Sequence, residues 1–117
     1  MHAFNRLSLA GLLLCLASAS AHAQNLTITI KNDTTSNIFV TVYDLNTHPV
    51  QKLLSNQLMN GFATVTVSLT SDSSGQGHLS WTAITVDSDM RQCGHNDKPN
   101  LSDGDSVHVH ADGDCGG

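Results

Sequence analysis

The sequence predicts an all-β fold, a small antiparallel immunoglobulin-like sandwich of about seven strands with one disulfide. Apolar and polar residues alternate with period two in several short runs, as they do in strands that bury one face. Thr and Val are frequent and Glu is absent, so good helix-forming residues are scarce. Clusters of Asn, Asp, Ser and Gly separate the runs and mark turns. A small jelly roll or barrel is the alternative architecture.

The alternating runs predict strands in a fixed order along the chain. They cover residues 26–30, 38–43, 64–69, 79–86 and 107–110, and the turns between them fall at 32–37, 60–61, 71–77 and 102–105. A further strand is predicted at about 50–54, followed by a loop. A helix is the alternative there, because Val50, Leu53, Leu54 and Leu58 also fit one helical face.

The first 23 residues have the organisation of a secretory signal peptide. Arg6 supplies a positive start, residues 9–17 form an apolar run, and Ala21-His22-Ala23 is a small-x-small cleavage site. The run is shorter than the roughly 20 residues that cross a bilayer. Leu14 stands before Cys15 where a lipoprotein signal needs a small residue. We therefore expect cleavage before Gln24, a single domain over 24–117, secreted or periplasmic localisation, and no membrane anchor.

Cleavage changes the cysteine count of the chain. Removing residues 1–23 from 117 leaves 94 residues with two cysteines, Cys93 and Cys115. An even pair in a small exported domain predicts one disulfide, which the loop-entropy model values at roughly 3 kcal/mol. A metal thiolate pair and a redox pair are the alternatives, although the CxxC spacing of such sites is missing.

The charge balance argues against two classes of partner. The full chain carries a formal net charge of −5, and loss of Arg6 leaves four basic residues against ten Asp, a net charge of −6. Nucleic-acid binding depends on basic residues that neutralise phosphates, so we expect no nucleic-acid partner. Docking to anionic membranes is disfavoured for the same reason.

His108 and His110 form the sharpest candidate metal pair. Alternate residues of a strand point to the same face, about 7 Å apart, so both imidazoles face outward if Val107 and Val109 face the core. Two imidazoles with a third ligand can hold Zn, Cu or Ni. The candidate third ligands are His95, Asp112 and Asp114. Ordinary solvated strand histidines are the competing interpretation.

Three Asp-x-Asp pairs are candidate calcium ligands, and they start at Asp87, Asp103 and Asp112. None has the ordered spacing of an EF-hand, and such pairs are common in turns. The sequence contains no GxSxG, HExxH or phosphate-binding loop. We therefore assign no catalytic residue and no cofactor, and we expect that the protein is not an enzyme.

Exposed aromatic residues would favour a sugar-binding module. Trp81 is expected in the core near the disulfide, as in immunoglobulin-like domains, with an exposed sugar platform as the alternative. Phe39 and Tyr43 lie on the strand face opposite Ile38, Val40 and Val42. They form either an exposed pair or part of the packing between sheets.

Several features together resemble one group of proteins. They are the leader ending in Ala-His-Ala, the Val-Thr-Val-Tyr-Asp stretch at 40–44, Gly75-x-Gly77-x-x-x-Trp81, Arg91-x-Cys93-Gly94, Leu101-x-x-Gly104-Asp105 and the near-terminal Cys115. Over essentially its whole length the chain resembles small uncharacterised exported β-sandwich proteins of Gram-negative bacteria. The resemblance implies export and transfers no catalytic residue.

The sequence therefore predicts a secreted, non-catalytic binding or surface-interaction protein, and one form of it is a host-exposed antigen. Its ligand would be a protein or a glycan. One alternative is a metal-binding or metal-scavenging protein that uses His108 and His110, and another is a small hydrolase or enzyme inhibitor. Thr-rich strand edges also suggest strand pairing between molecules, although they do not define an oligomeric state.

Overall fold

A computed structural model describes residues 23–110, which form seven β-strands and no helix. Residues 1–22, Asp112, Asp114 and Cys115 lie outside the described residues, so most of the predicted leader and one predicted disulfide partner do too. Within 23–110, no helix is long and apolar enough to cross a membrane. The strands are β1 Asn25–Asn32, β2 Ile38–Asp44, β3 Gln51–Met59, β4 Thr64–Thr70, β5 Gly77–Thr85, β6 Gln92–Leu101 and β7 Ser106–Val109.

The strands form two sheets, in the orders β4-β1-β7 and β3-β2-β5-β6. The predicted all-β fold with about seven strands is confirmed. The predicted antiparallel pairing holds for every strand pair except β1 and β7, which run parallel to each other. β6 ends at the end of the molecule where β1 begins. β7 therefore starts from that end and runs in the same direction as β1.

The core lies between the sheets and is built from the alternating residues that the sequence pattern predicts. β1 contributes Leu26, Ile28 and Ile30, and each is buried. The other large buried side chains are Ile38, Val40, Val42, Met59, Val67, Leu69, Leu79, Trp81, Leu101, Val107 and Val109. Their packing against one another leaves the intervening residues of each strand on the outer faces.

Segment 51–59 is a strand throughout, so the helix alternative and the predicted loop after residue 54 are both wrong. The register of β3 against β2 shifts twice, at a bulge opposite Thr41 and again between Val42 and Tyr43. Asn56 takes a positive φ of 48° at the bulge, and its backbone N–H donates to the Thr41 hydroxyl at 3.0 Å. The two irregularities interrupt the face alternation of β3, which is why its leucines do not follow period two and imitate a helical spacing.

β6 was not predicted as a strand. It pairs with β5 at the edge of the four-stranded sheet, and most of its residues are exposed. Because an exposed edge strand needs no regular apolar face, the polar run His95-Asn96-Asp97-Lys98 gives no alternation.

The loops gather at two ends of the sandwich. We call the end formed by residues 33–37, 60–63 and 86–91 the apical end, and the end formed by 45–50, 71–76 and 102–105 the basal end. β7 runs toward the apical end, which places His108 and His110 there.

Candidate binding surface at the apical end

Asn32 anchors two of the apical loops from within. Its side chain is 1% exposed, and its Nδ2 group donates to the carbonyl oxygens of Ser36, Met59 and Asn60 at 2.9, 3.1 and 3.0 Å. Its Oδ1 accepts from the backbone N–H and the hydroxyl of Thr34 at 2.9 and 2.8 Å. One buried amide therefore ties the 33–37 loop to the 60–63 loop.

Close contact between these two loops requires glycine at position 61. A Cβ on Gly61 would stand 2.5 Å from the backbone oxygen of Thr35, a distance that real Cβ atoms do not reach. The next residue, Phe62, has a positive φ of 62°, and its N–H donates to Thr34 O at 3.2 Å. Its side chain is 68% exposed. The loop thus holds a large apolar ring in solvent on left-handed backbone.

The 86–91 loop presents Met90 in a similar way. Met90 has a φ of 47° and is 49% exposed. Asp87 organises the loop, because its Oδ1 accepts from the Thr85 hydroxyl at 2.8 Å and from the N–H groups of Asp89 and Met90 at 3.1 Å each. The hydrogen bond from Thr85 is the main cause that holds the pKa of Asp87 below its ordinary value, and Arg91 adds a smaller Coulombic contribution.

An apolar row lies beside these tips on the outer face of the four-stranded sheet. Phe39 on β2 stands directly between Leu58 on β3 and Ile84 on β5. Leu58 is exposed, whereas Phe39 and Ile84 are half-buried. We call the row, the two tips and the exposed Val86 together the apical patch; its members are Phe39, Leu58, Phe62, Ile84, Val86 and Met90.

Left-handed backbone at a bulky residue is uncommon and costs about 1–2 kcal/mol. Asn56 and Asn100 also have positive φ, but Asn adopts this conformation readily. Phe62 and Met90 have no such intrinsic preference. Strained residues of this kind persist where the surroundings fix them, and they cluster at functional sites. The backbone therefore points to the apical patch as the candidate site.

The predicted metal pair lies near the same end of the molecule. Val107 and Val109 are buried, as expected, and both histidines are exposed. His108 Nδ1 lies 2.7 Å from Asp33 Oδ2. His110 Nδ1 lies 3.1 Å from the backbone oxygen of His108, and its ring stands edge-on to the Trp81 indole with 6.1 Å between ring centroids. Each imidazole is thus engaged within the fold.

Nothing in the described part of the chain completes a metal site. Within residues 23–110, no three His, Cys, Asp or Glu side chains are grouped closely enough to hold an ion. His95, one of the three candidate third ligands, is therefore not grouped with His108 and His110. It pairs across the sheet with Thr82, and its Nδ1 lies 3.3 Å from the Gln92 amide. Metal binding by His108 and His110 stays a prediction that needs a ligand from beyond residue 110.

The described Asp-x-Asp pairs serve the turns instead. Asp103 Oδ1 accepts from the Thr27 N–H at 2.7 Å, and Asp105 Oδ2 accepts from the Ser102 N–H at 2.8 Å. Asp87 and Asp89 lie 3.5 and 3.9 Å from Arg91. These carboxylates therefore have partners within the protein.

The structure places the three aromatic residues that were candidates for a sugar platform, Phe39, Tyr43 and Trp81. Trp81 is 2% exposed, which confirms the core expectation and excludes it from an exposed platform. Phe39 and Tyr43 share the outer face, as the alternation predicts, but four residues separate them, or about 13 Å along the strand. The Lys52 ammonium lies 5.6 Å from the centre of the Tyr43 ring.

Cys93 is buried on β6, with its Sγ 3.5 Å from Ala83 O. The neighbouring Gly94 lies against the residue that follows β7, since a Cβ on Gly94 would stand 3.0 Å from the backbone oxygen of His110. The last described residue thus lies close to the cysteine that is predicted to pair with Cys115.

The chain matches no protein-family model and no curated protein sequence. The resemblance to small exported bacterial proteins therefore stays a prediction. Sequence reasoning did not single out Phe62 or Met90. For Phe62, one signal existed in the predicted Asn60-Gly61 turn, which is followed at once by an aromatic residue.

Proposed function

We propose that this protein is an exported, non-catalytic binding module that docks a protein partner through the apical patch. The observation that carries the proposal is the pair of exposed apolar side chains, Phe62 and Met90, held on left-handed backbone by hydrogen-bonded loops. Rigid, preorganised apolar residues bind a partner with little loss of conformational entropy.

The surroundings of the patch favour a protein over a sugar or a small molecule. The apolar row of Leu58, Phe39 and Ile84 crosses three neighbouring strands on the outer face of the four-stranded sheet. Asp33, Asp87 and Asp89 lie around the same end together with Arg91, and they provide a polar rim with an excess of acidic residues. An apolar centre with a charged rim is the usual anatomy of a protein interface, and here the rim favours a partner with basic residues.

Export is part of the proposal. β1 begins at Asn25, one residue after the proposed cleavage site, so cleavage there leaves all seven strands intact. The proposed Cys93–Cys115 disulfide is supported by the burial of Cys93 and by the closeness of Gly94 to His110. The three-plus-four arrangement of strands supports an immunoglobulin-like plan. An exposed antigen is one form that such a module takes.

The test uses a displayed random-peptide library as the probe, panned on the wild-type protein and counter-selected on the Phe62→Gly/Met90→Gly double variant. Selected peptides are then synthesised and titrated calorimetrically. We expect at least tenfold weaker binding to the double variant, because truncation of central apolar anchors removes hot-spot energy. Glycine fits both backbone positions, so the double variant should be at least as stable as the wild type.

Val50→Ser is the matched control. Val50 is 49% exposed, as Met90 is, but it lies at the basal end. The proposal is supported by peptides that bind the wild type and Val50→Ser with equal affinity and bind the double variant at least tenfold more weakly. Failure to enrich any peptide that distinguishes the double variant from wild type would overturn it.

A further inference from the structure

The two sheets have four edge strands, and three of them carry devices that discourage pairing with another chain. β3 has Lys52 and the bulge at Asn56. β6 has Asp97, Lys98 and Pro99 and two irregularities in its register. β7 is only four residues long. Charges, proline, bulges and short length are the usual protections of an edge.

β4 has none of these protections. It spans seven residues, Thr64–Thr70, with the sequence TVTVSLT, and its register against β1 is uninterrupted. It contains no charged residue, although the whole chain carries a formal net charge of −5. Two copies of this edge therefore meet without apposing like charges, and β-branched residues on both sides favour extended pairing.

The hydrogen bonds of β4 show which backbone groups are open. Asn32 N donates to Ala63 O, and Ser71 N donates to Gln24 O. The odd-numbered residues of β4 therefore direct their backbone N–H and C=O groups toward β1. The even-numbered residues direct their N–H and C=O groups to the free edge. At Thr70 both groups are occupied, by Asp44 Oδ2 at 2.8 Å and Asn46 Nδ2 at 3.0 Å.

Thr64, Thr66 and Ser68 are the remaining open positions of this edge. We propose that β4 pairs antiparallel with β4 of a second copy, about a two-fold axis that passes beside Thr66. Thr66 then faces Thr66 of the partner subunit, and Thr64 faces Ser68 of the partner subunit. This register uses the three open residues and leaves Thr70 with its internal partners. It also keeps outward residues opposite outward residues, as pairing requires.

A groove beside the edge gives a second copy side-chain contacts in addition to backbone pairing. The groove has a volume of about 420 Å³ and lies between β3 and β4. Leu53, Leu54 and Val67 form its apolar part, and polar residues that include Thr66 and Ser68 form the rest. Leu53 and Leu54 are half-buried. Antiparallel pairing brings Val65 and Val67 of the partner subunit to the mouth of this groove, where they can cover its apolar part.

The first test is sedimentation of the exported protein over a concentration series. We expect a monomer–dimer equilibrium in the wild type and at least tenfold weaker dimerisation in Thr66→Lys, which apposes two ammonium groups at the axis. Thr27→Lys is the matched control, because Thr27 is exposed on the same sheet face but lies on the inner strand β1. Thr66→Pro should also weaken dimerisation, since it removes a backbone N–H that only the partner subunit would use as a donor.

The second test reads the register by crosslinking. Facing hydrogen-bonded residues have Cα atoms about 5.5 Å apart, within disulfide range. Thr66→Cys should form an intermolecular disulfide on mild oxidation, whereas Ser68→Cys should not, because it faces Thr64 of the partner subunit. A wild-type protein that stays monomeric at every concentration, or a dimer that survives both Thr66→Lys and Thr66→Pro, would overturn the proposal. Preferential crosslinking through Ser68→Cys would do so as well.

Discussion

The two ends of the sandwich handle left-handed backbone with opposite choices of residue. In the basal loops the positive-φ positions are Gly75 and Gly104, with φ of 86° and 90°. In the apical loops they are Phe62 and Met90. Glycine adopts this conformation without steric penalty, whereas Phe and Met do not. The basal turns are therefore relaxed connections, and the apical turns accept strain to expose apolar side chains.

A buried polar side chain anchors each end. Asn32 holds the apical loops through five hydrogen bonds, three that its Nδ2 donates and two that its Oδ1 accepts. Asp44 is fully buried near the basal end, and its carboxylate accepts from Asn46 N at 3.0 Å and Thr70 N at 2.8 Å. The strained end thus has the more extensive anchor, as expected if the surroundings must impose an unfavourable backbone.

The largest effect is expected from Asn32→Ala. The substitution removes all five hydrogen bonds of the buried amide and leaves the N–H of Thr34 without its acceptor, whereas Ser36 O keeps the Thr34 hydroxyl and Asn60 O keeps the Ala63 N–H. We expect the unfolding free energy to fall by about 3 kcal/mol. Urea denaturation measures the change as a lower midpoint at constant slope. Asn37→Ala is the control, because its side chain makes one exposed bond to Gly61 N. Equal losses in both variants would contradict an anchoring role.

Asp44→Ala tests the basal anchor and should cost about 2 kcal/mol, because two backbone N–H groups lose a carboxylate acceptor. Asp44→Asn keeps one acceptor oxygen and should recover part of the loss. The comparison of ends predicts a further difference: Asp44→Ala should leave ligand binding by the apical patch unchanged, whereas Asn32→Ala should weaken it. Binding and denaturation measured on the same preparations separate the two effects.

Most of the fold could be predicted from the alternation, because strands that bury one face repeat with period two. Leu26, Ile28 and Ile30 show this pattern, and all three are buried. β6 could not be predicted in this way, because an exposed edge strand has no apolar face to reveal it. In β3 the bulge at Asn56 interrupts the alternation, and bulges depend on hydrogen bonds to a neighbouring strand.

The candidate site was less predictable than the fold. The turn at Asn60-Gly61 was expected, but turn chemistry assigns positive φ to Gly or Asn. The structure instead gives it to Phe62, because Gly61 is needed for its close approach to Thr35. Such a choice follows from the packing of two loops that are distant in sequence. The outward positions of His108 and His110 were predictable, whereas the Asp33 contact was not.

Two opposite substitutions, one to glycine at the apical end and one from glycine at the basal end, test the contrast in backbone strain. Phe62→Gly removes the left-handed penalty but adds chain entropy to the unfolded state, so we expect a gain of about 0.5 kcal/mol. Gly75→Ala should lose about 1 kcal/mol, purely from backbone strain, because no atom lies within 4 Å of the added Cβ. Thermal unfolding should therefore show a raised melting temperature for Phe62→Gly and a lowered one for Gly75→Ala. A destabilised Phe62→Gly would show that the ring supports the fold instead of being free to bind.

The smallest effects concern two exposed carboxylates, one at each end. Asp72 in the basal loop has its pKa lowered mainly by the backbone N–H of Gln76, with the Ser74 hydroxyl next, and Asp87 in the apical loop has its pKa lowered mainly by the Thr85 hydroxyl. A carboxyl whose folded pKa lies below its unfolded value stabilises the fold at higher pH, and this contribution is lost as the pH falls through the folded pKa. Both loops should therefore loosen in the acid range below the ordinary Asp pKa.

Carboxyl-carbon chemical shifts followed by NMR during acid titration measure both midpoints, and salt separates their causes. Arg91 contributes to the lowered pKa of Asp87, whereas hydrogen bonds alone lower the pKa of Asp72. Because salt screens exposed charges, added salt should raise the Asp87 midpoint slightly and leave that of Asp72 in place. Arg91→Gln should abolish the salt response of Asp87 while its midpoint stays low, since the Thr85 hydrogen bond remains. An equal response to salt at both ends would show that charge pairing does not distinguish the apical loop from the basal one.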